Sequence, residues 1–238
     1  SNVVEGIKSA LEIIDDARCK PGNHGQRAAV EALYDLAKKG KFSFDGMNLG
    51  GLALQGVQLP GADLRRVVLA GSSLEFANLR GAKLDYVWTL NTHFSCADLS
   101  GAQLQFVGGL SPPNLHGANV SNAYLGRYSL FEHVFASLPK EGCAPHGAPR
   151  AKVDPLSRVG RQVNVSQRIC LHWRNKVPCE RAWNSPDVYH VSPASAARAR
   201  DNETLDQCRQ GLTRLRLKAP EESTWDWLDT TPDSSERA

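Results

Sequence analysis

A large apolar residue recurs every five positions between residues 42 and 130, and this spacing limits the possible folds more than any other feature. The series is interrupted at Thr89 and slips by one residue after Gly109. Neither the 3.6-residue period of a helix nor the two-residue period of a strand produces such a spacing. We therefore predict a repeat architecture, in which each unit buries its apolar face by stacking on its neighbours. The large residues are Phe44, Leu49, Leu54, Leu59, Leu64, Leu69, Leu74, Leu79, Leu84, Phe94, Leu99, Leu104, Leu115, Val120, Leu125 and Leu130.

A period of 20 residues is superimposed on the first. Residues 60–64 (PGADL) recur as 80–84 (RGAKL) and 100–104 (SGAQL), and after the slip as 121–125 (SNAYL). Because every fourth pentapeptide resembles its predecessor, four pentapeptides make one turn of a four-sided coil. Stacked coils can pair their backbones as parallel strands do, about 4.8 Å apart. The recurring glycines suit tight corners, where a side chain would cost free energy.

The A-(D/N)-L-x-x pattern, as in Ala62-Asp63-Leu64 and Ala97-Asp98-Leu99, resembles the pentapeptide-repeat family. The resemblance covers residues 42–131. It implies a mainly β fold, a right-handed quadrilateral β-helix of about four to five coils. It says almost nothing about function.

The segments on either side of the repeat have a different character. We expect residues 1–41 to form N-terminal helices that cap the first coil, because a solenoid exposes its core at each end. Residues 132–223 read as a small, irregular and mixed subdomain that contains cysteines, and residues 224–238 as a loose acidic tail. The apolar patterns predict helices at residues 3–18, 26–39 and 203–215 and short strands at 169–173 and 188–191.

Four apolar residues occupy or adjoin outward positions of the predicted coils: Val68, Tyr86, Trp88 and Phe106. Such a patch is unusual on the surface of a monomer. Either the C-terminal segment folds over it, or it is the surface for a partner or a homodimer.

The six cysteines are unevenly placed, since four of them follow residue 140. The even number favours an oxidising compartment with disulfides among these four, although six reduced thiols explain the count as well. The four are Cys143, Cys170, Cys179 and Cys208, which allow three pairings. The same residues, with His146 and His172, are too loosely spaced for a typical zinc site, and we expect no metal.

The net charge of +3 is a sum of unlike parts. Residues 43–131 carry five acidic and five basic side chains, which argues against imitation of DNA, the strategy of topoisomerase-protecting members of the family. Residues 139–218 carry 15 Lys and Arg against 7 Asp and Glu. No nucleic-acid-binding motif organises these charges, so a nucleic-acid partner is not expected.

The function predicted from these features is that of a non-enzymatic interaction or structural module from a bacterium, with a protein as its partner and no cofactor. No phosphate loop, dinucleotide fingerprint or nucleophile signature is present. The alternative is a bacterial effector or enzyme whose chemistry lies in the C-terminal Cys/His region, and topoisomerase protection is a minor alternative. Because the only methionine is Met47, we expect the true start to lie upstream of Ser1. A removed signal peptide or anchor there would give a periplasmic or membrane-anchored protein.

Overall fold

The computed structural model describes residues 2–18, 25–38, 43–89, 91–104, 107–108, 113–125, 127–130, 163–168, 180–181 and 189–229. Its helices are α1 (Asn2–Ala17), α2 (Gln26–Lys38), α3 (Pro193–Ala199) and α4 (Asn202–Leu215), followed by a 3-10 turn at Asp226–Leu228. Its strands are β1 (Gln103–Leu104), β2 (Val107–Gly108), β3 (Tyr124–Leu125), β4 (Arg127–Leu130), β5 (Val163–Arg168), β6 (Glu180–Arg181) and β7 (Tyr189–His190).

Most of the repeat is held by single parallel bridges rather than by continuous strands. Asn48 bridges to Val68 and Val68 to Trp88, a separation of 20 residues at each step. The separation becomes 21 at the bridge from His93 to Asn114, so the one-residue slip in the sequence is absorbed between coils. The described strands contain two to six residues, which is less strand than the mainly β class predicted. The physical reason is that a turn interrupts each pentapeptide, so only its central residue forms a bridge.

Two kinds of residue point into the coils, as the five-residue period predicts. From Phe44 to Leu125 the large position is buried wherever the structure describes it, for example at Leu54 and Leu74, and the small position is buried at Ala97. Where the small position is polar, its hydroxyl bonds to the preceding coil: Ser72 Oγ donates to the carbonyl of Leu49 at 2.7 Å, and Thr92 Oγ1 to that of Leu69 at 2.8 Å. Buried hydroxyls are tolerated here because each has an acceptor.

The two N-terminal helices pack together and against the start of the repeat. Leu33 and Leu36 of α2 are fully buried in the same core as the coil interior. The backbone N–H of Ala53 donates to Gln26 Oε1 at 2.9 Å, and that of Gln58 donates to Tyr34 Oη at 3.0 Å. Side chains of α2 thus accept backbone hydrogen bonds that a preceding coil would otherwise accept.

The other end of the repeat continues as a short sheet in the order β1-β3-β7-β6. β7 pairs antiparallel with β3, which places His190 against Tyr124 with ring centroids 5.0 Å apart. β7 lies within the predicted strand at 188–191, whereas the predicted strand at 169–173 falls outside the described residues. In the described part of the chain, no helix has the length and apolar character needed to cross a membrane.

Candidate functional site

Four residues occupy the same corner in four successive coils: Gly56, Phe76, Cys96 and Gly117. We call this set the corner column. All four have a left-handed backbone, with φ values of +69°, +61°, +57° and +68°. Their stacking follows from the backbone ladder, in which the N–H of Gly56 donates to the carbonyl of residue 75 and the N–H of Phe76 to that of residue 95. Because the corner turns the chain sharply, the side chain at this position points away from the coil interior.

Helix α4 lies against the corner column at very short range. Cys208 of α4 forms a disulfide with Cys96, with the two Cα atoms 5.7 Å apart. A methyl group added at Gly117 would lie only 2.6 Å from Cys208 Sγ. A methyl group added at Gly211 of α4 would lie 2.6 Å from the ring of Phe76. The absence of a side chain at residues 117 and 211 is therefore what lets the helix approach the coils.

The helix and the coils have nearly the same repeat distance. One helical turn rises about 5.4 Å, and stacked β-coils lie about 4.8 Å apart. Residues 204 and 208 of α4 adjoin Gly117, residue 208 also reaches Cys96, and residue 211 meets Phe76. Successive turns of α4 therefore match successive coils, in the opposite direction along the stack.

Local sequence signals fix the ends of α4. The side chain of Asp201 accepts a hydrogen bond from the N–H of Thr204 at 2.8 Å, which caps the first turn. Arg216 adopts the left-handed conformation that ends the last turn. The predicted helix at 203–215 agrees with α4 to within one residue.

The segment after α4 also packs on the column, so the prediction of a loose tail is wrong at Trp227 and Leu228, while residues 230–238 lie outside the described residues. Trp227 and Leu228 are buried in one cluster with Phe76 and Cys208. Trp225 Nε1 donates to the carbonyl of Phe76 at 3.0 Å. Apolar burial of these side chains outweighs the acidic character of the segment around them.

A groove of about 570 Å³ runs beside this contact, between α4 and the coils. We call it the α4 groove. His116 Nε2 and Gln207 Oε1 lie 2.9 Å apart, so a hydrogen bond joins its two walls. The groove mixes an anionic, a cationic and several neutral polar groups, and it is lined by Glu75, Phe76, Ser95, Cys96, His116, Gln207, Gln210, Gly211 and Arg214.

A buried carboxylate, Asp98, interacts with two arginines. Asp98 has a side chain only 1% exposed and accepts from Arg80 Nη2 at 2.8 Å and from Asn119 Nδ2 at 3.1 Å. Its hydrogen bond and charge raise the pKa of Arg80. Arg200 lies over the Trp227 ring at 5.1 Å, and its burial lowers its pKa while the charge of Asp98 opposes that shift. These interactions join the coils to the junction of α3 and α4.

Two other acidic side chains on the described coils are also paired with arginines. Asp45 forms an ion pair with Arg66, and Asp63 forms one with Arg65. The hydrogen bond from Arg65 holds the pKa of Asp63 below its usual value. Three of the five acidic side chains of residues 43–131 are therefore neutralised by an arginine.

The four apolar residues predicted from the sequence are not a continuous exposed patch. Val68 and Trp88 are buried, with 8% and 4% exposure, and Tyr86 is half-buried. Phe106 lies outside the described residues. Both alternatives for this place, cover by the C-terminal segment and a surface for a partner or homodimer, stay predictions.

The predicted disulfide partners of Cys208 need a correction as well. Cys208 is joined to Cys96, which precedes the C-terminal group of cysteines by many residues, and not to Cys143, Cys170 or Cys179, which lie outside the described residues. The sequence analysis did not predict Cys96 as a disulfide partner, because only the four cysteines close together after residue 140 were considered as partners for one another. The 20-residue period does indicate an outward position for Cys96, because it places Cys96 at the same corner as Phe76, one coil further along.

The described residues contain no group of three or more His, Cys, Asp or Glu side chains that could hold a metal ion. Their arrangement is suited to holding α4 on the coils and to presenting a polar groove beside it.

Comparison with known proteins agrees with the repeat. The model of the pentapeptide-repeat family matches residues 48–85, in eight copies. A search of curated proteins finds no match. One solved structure with similarity is a pentapeptide-repeat protein from the thylakoid lumen of Arabidopsis thaliana, which shares 20% identity over 40% of this chain and 77% of its own, with a TM-score of 0.16. Residues 48–85 therefore consist of repeats of the pentapeptide-repeat family.

Proposed function

We propose that the chain is a non-enzymatic structural and interaction module that binds a protein through the α4 groove. Its frame is a right-handed quadrilateral β-helix of four to five coils. The observation that carries this proposal is the docking of α4, turn by turn, on the corner column, which holds the groove between two fixed walls. Polar side chains presented by a rigid scaffold are a common basis for protein recognition.

The N-terminal segment of the chain has a structural role in this proposal. We propose that residues 1–41 act as a cap, and the hydrogen bonds from Ala53 and Gln58 to side chains of α2 support this role. An uncapped coil would leave such N–H groups open to pairing with another chain.

The alternatives have less support. A thiol enzyme needs an accessible thiolate, whereas Cys96 and Cys208, the two cysteines among the described residues, are bonded to each other. A DNA mimic needs an acidic face, whereas Asp45, Asp63 and Asp98 are each paired with an arginine.

Site-directed photo-crosslinking tests the proposal. A photoreactive phenylalanine analogue replaces Gln210, which is exposed in the groove, and in the control protein it replaces Arg27, which is exposed on α2. We expect the probe at position 210, but not at 27, to give protein adducts in an extract of the source cells. An excess of unlabelled wild-type chain should suppress these adducts, and an excess of the Glu75→Arg/Arg214→Glu variant should not. Equal labelling from both positions, or equal suppression by both competitors, would argue against the groove as the binding surface.

A further inference from the structure

A disulfide joins the repeat to the C-terminal helix and lies beside the α4 groove. Its cysteines, Cys96 and Cys208, are 112 residues apart in the sequence. It therefore fixes the position of α4 on the corner column by a bond that a change in redox conditions can break.

The two sulfur atoms differ in their surroundings. Cys96 lines the groove and keeps 6% exposure, whereas Cys208 is fully buried between α4 and the coils. A methyl group added at Gly117 would lie within 3.2 Å of both Cys208 Sγ and Thr204 Cγ2, so little space remains on this side of Cys208. A reagent that enters the groove thus meets Cys96 first.

The groove has the size and chemistry to admit a thiol. Its volume of about 570 Å³ exceeds that of a small dithiol or of one cysteine side chain on a protein loop. The Arg214 guanidinium in its wall attracts the thiolate form, which is the nucleophile in disulfide exchange. Glu75 lines the same groove and opposes this attraction, so the local balance depends on both side chains.

We propose that the α4 groove is a thiol–disulfide exchange site, at which an external dithiol attacks Cys96 and releases α4 from its covalent tie. In the first step a thiolate of the dithiol bonds to Sγ of Cys96, the Cys96–Cys208 bond breaks, and the electron pair leaves on Cys208, which takes up a proton. The resulting thiol has an acceptor nearby, because Cys208 Sγ lies 3.9 Å from the carbonyl of Gly117.

In the second step the other thiolate of the dithiol attacks the dithiol sulfur that is bonded to Cys96. The mixed disulfide breaks, and Cys96 leaves with the electron pair and is protonated. The dithiol becomes a disulfide, and the protein gains two electrons and two protons as two thiols.

Release of the bond leaves α4 held by noncovalent contacts alone, and local opening of the helix becomes easier. The inference rests on the proposed function in one respect, namely that the α4 groove is a binding surface whose shape reduction of the disulfide would change. The exchange reaction itself needs no partner protein, so the following experiment can fail or succeed independently of the crosslinking test.

The test follows reduction of the oxidised, full chain under native conditions. Samples treated with dithiothreitol are quenched with iodoacetamide and mapped by mass spectrometry. Wild type should be reduced at a rate that rises with dithiothreitol concentration. Gln210→Trp, which fills the groove, should slow the reaction at least about fivefold, and Asp206→Trp, placed at an exposed position of α4 outside the lining, should change it less than about twofold.

Two further measurements do not depend on these variants. Glutathione, a monothiol, should leave its adduct on Cys96 and not on Cys208. After reduction, cleavage by trypsin after Arg209 and Arg214 of α4 should become at least about tenfold faster.

Three results would overturn the inference. The first is free thiols at both positions in the native, air-oxidised protein. The second is a reduction rate that is independent of thiol concentration and equal in both tryptophan variants, which would mean that unfolding limits the reaction. The third is a glutathione adduct on Cys208.

Discussion

Replacement of Gly117 by alanine tests the docking of α4 directly, because the new methyl group would point at the disulfide. It would lie 2.6 Å from Cys208 Sγ and 3.2 Å from Cys96 Sγ, and the backbone has a φ of +68°. The matched control is Gly101→Ala, at a corner with a φ of +67°, where the nearest atom to the methyl group is Gly81 Cα at 3.9 Å.

Both variants lose stability through backbone strain, and only Gly117→Ala also loses stability through overpacking. Alanine in the left-handed backbone conformation lowers the free energy of unfolding by about 1 kcal/mol in either variant. Overpacking adds about 1–3 kcal/mol for Gly117→Ala alone. We therefore expect Gly101→Ala to lose about 1 kcal/mol of stability and Gly117→Ala about 2–4 kcal/mol.

Thermal unfolding of the oxidised proteins, followed by tryptophan fluorescence and circular dichroism, measures the difference. For a chain of this size each kcal/mol corresponds to about 2–4 °C in Tm. Mass spectrometry confirms that the disulfide is intact in both variants. Equal losses of stability in the two variants would mean that α4 does not lie close to the corner column at Gly117. The α4 groove would then not have the two walls assigned to it.

Three further predictions concern the cap, the buried charge and the response to pH. Gln26→Leu should destabilise the protein by about 1–3 kcal/mol in urea unfolding, because it leaves the partly buried N–H of Ala53 without its acceptor and the carbonyl of Ala17 without its donor, while Arg27→Leu on the exposed face should change stability by less than about 0.5 kcal/mol. Asp98→Asn should cost about 1–3 kcal/mol, because it takes the counter-charge from two arginines, and the exposed control Asp206→Asn should cost less than about 1 kcal/mol; equal losses would contradict a buried role for Asp98. Burial raises the pKa of Tyr34 above 10.0, so its contribution to stability is complete below pH 10 and is lost as the pH rises through the higher folded value. The difference between the stability curves of wild type and Tyr34→Phe should shrink over that alkaline range, and a difference that is constant with pH would refute the assignment.

The five-residue and 20-residue periods predicted the repeat correctly because each inward residue must bury its side chain against its own coil and its neighbours. The slip after Gly109 likewise predicted the change from 20-residue to 21-residue bridges. Helices α1, α2 and α4 were predictable for a similar reason, since their apolar stripes and caps are local in the sequence.

The candidate site was much harder to predict. The contacts of α4 and of the segment after it with the corner column join residues about 90 to 150 positions apart, and no local pattern records such a pairing. The cover over Val68 and Trp88 was left open because periodicity distinguishes inward from outward positions and cannot show what covers an outward one. Trp227 and Leu228 were assigned to a loose tail because most of the residues around them are polar or acidic. In the structure both side chains are buried.

The sequence by itself determined the repeating coil, its two inward rows and the helices on either side, because these depend on spacing along the chain. Only the tertiary structure decided that Cys208 pairs with Cys96 and that α4 and the coils enclose a polar groove. That outcome depends on the near equality of the helical pitch and the coil spacing, and on two glycines small enough for close approach, at 117 and 211. Such a fit is a property of two surfaces, and it exists only when both are folded.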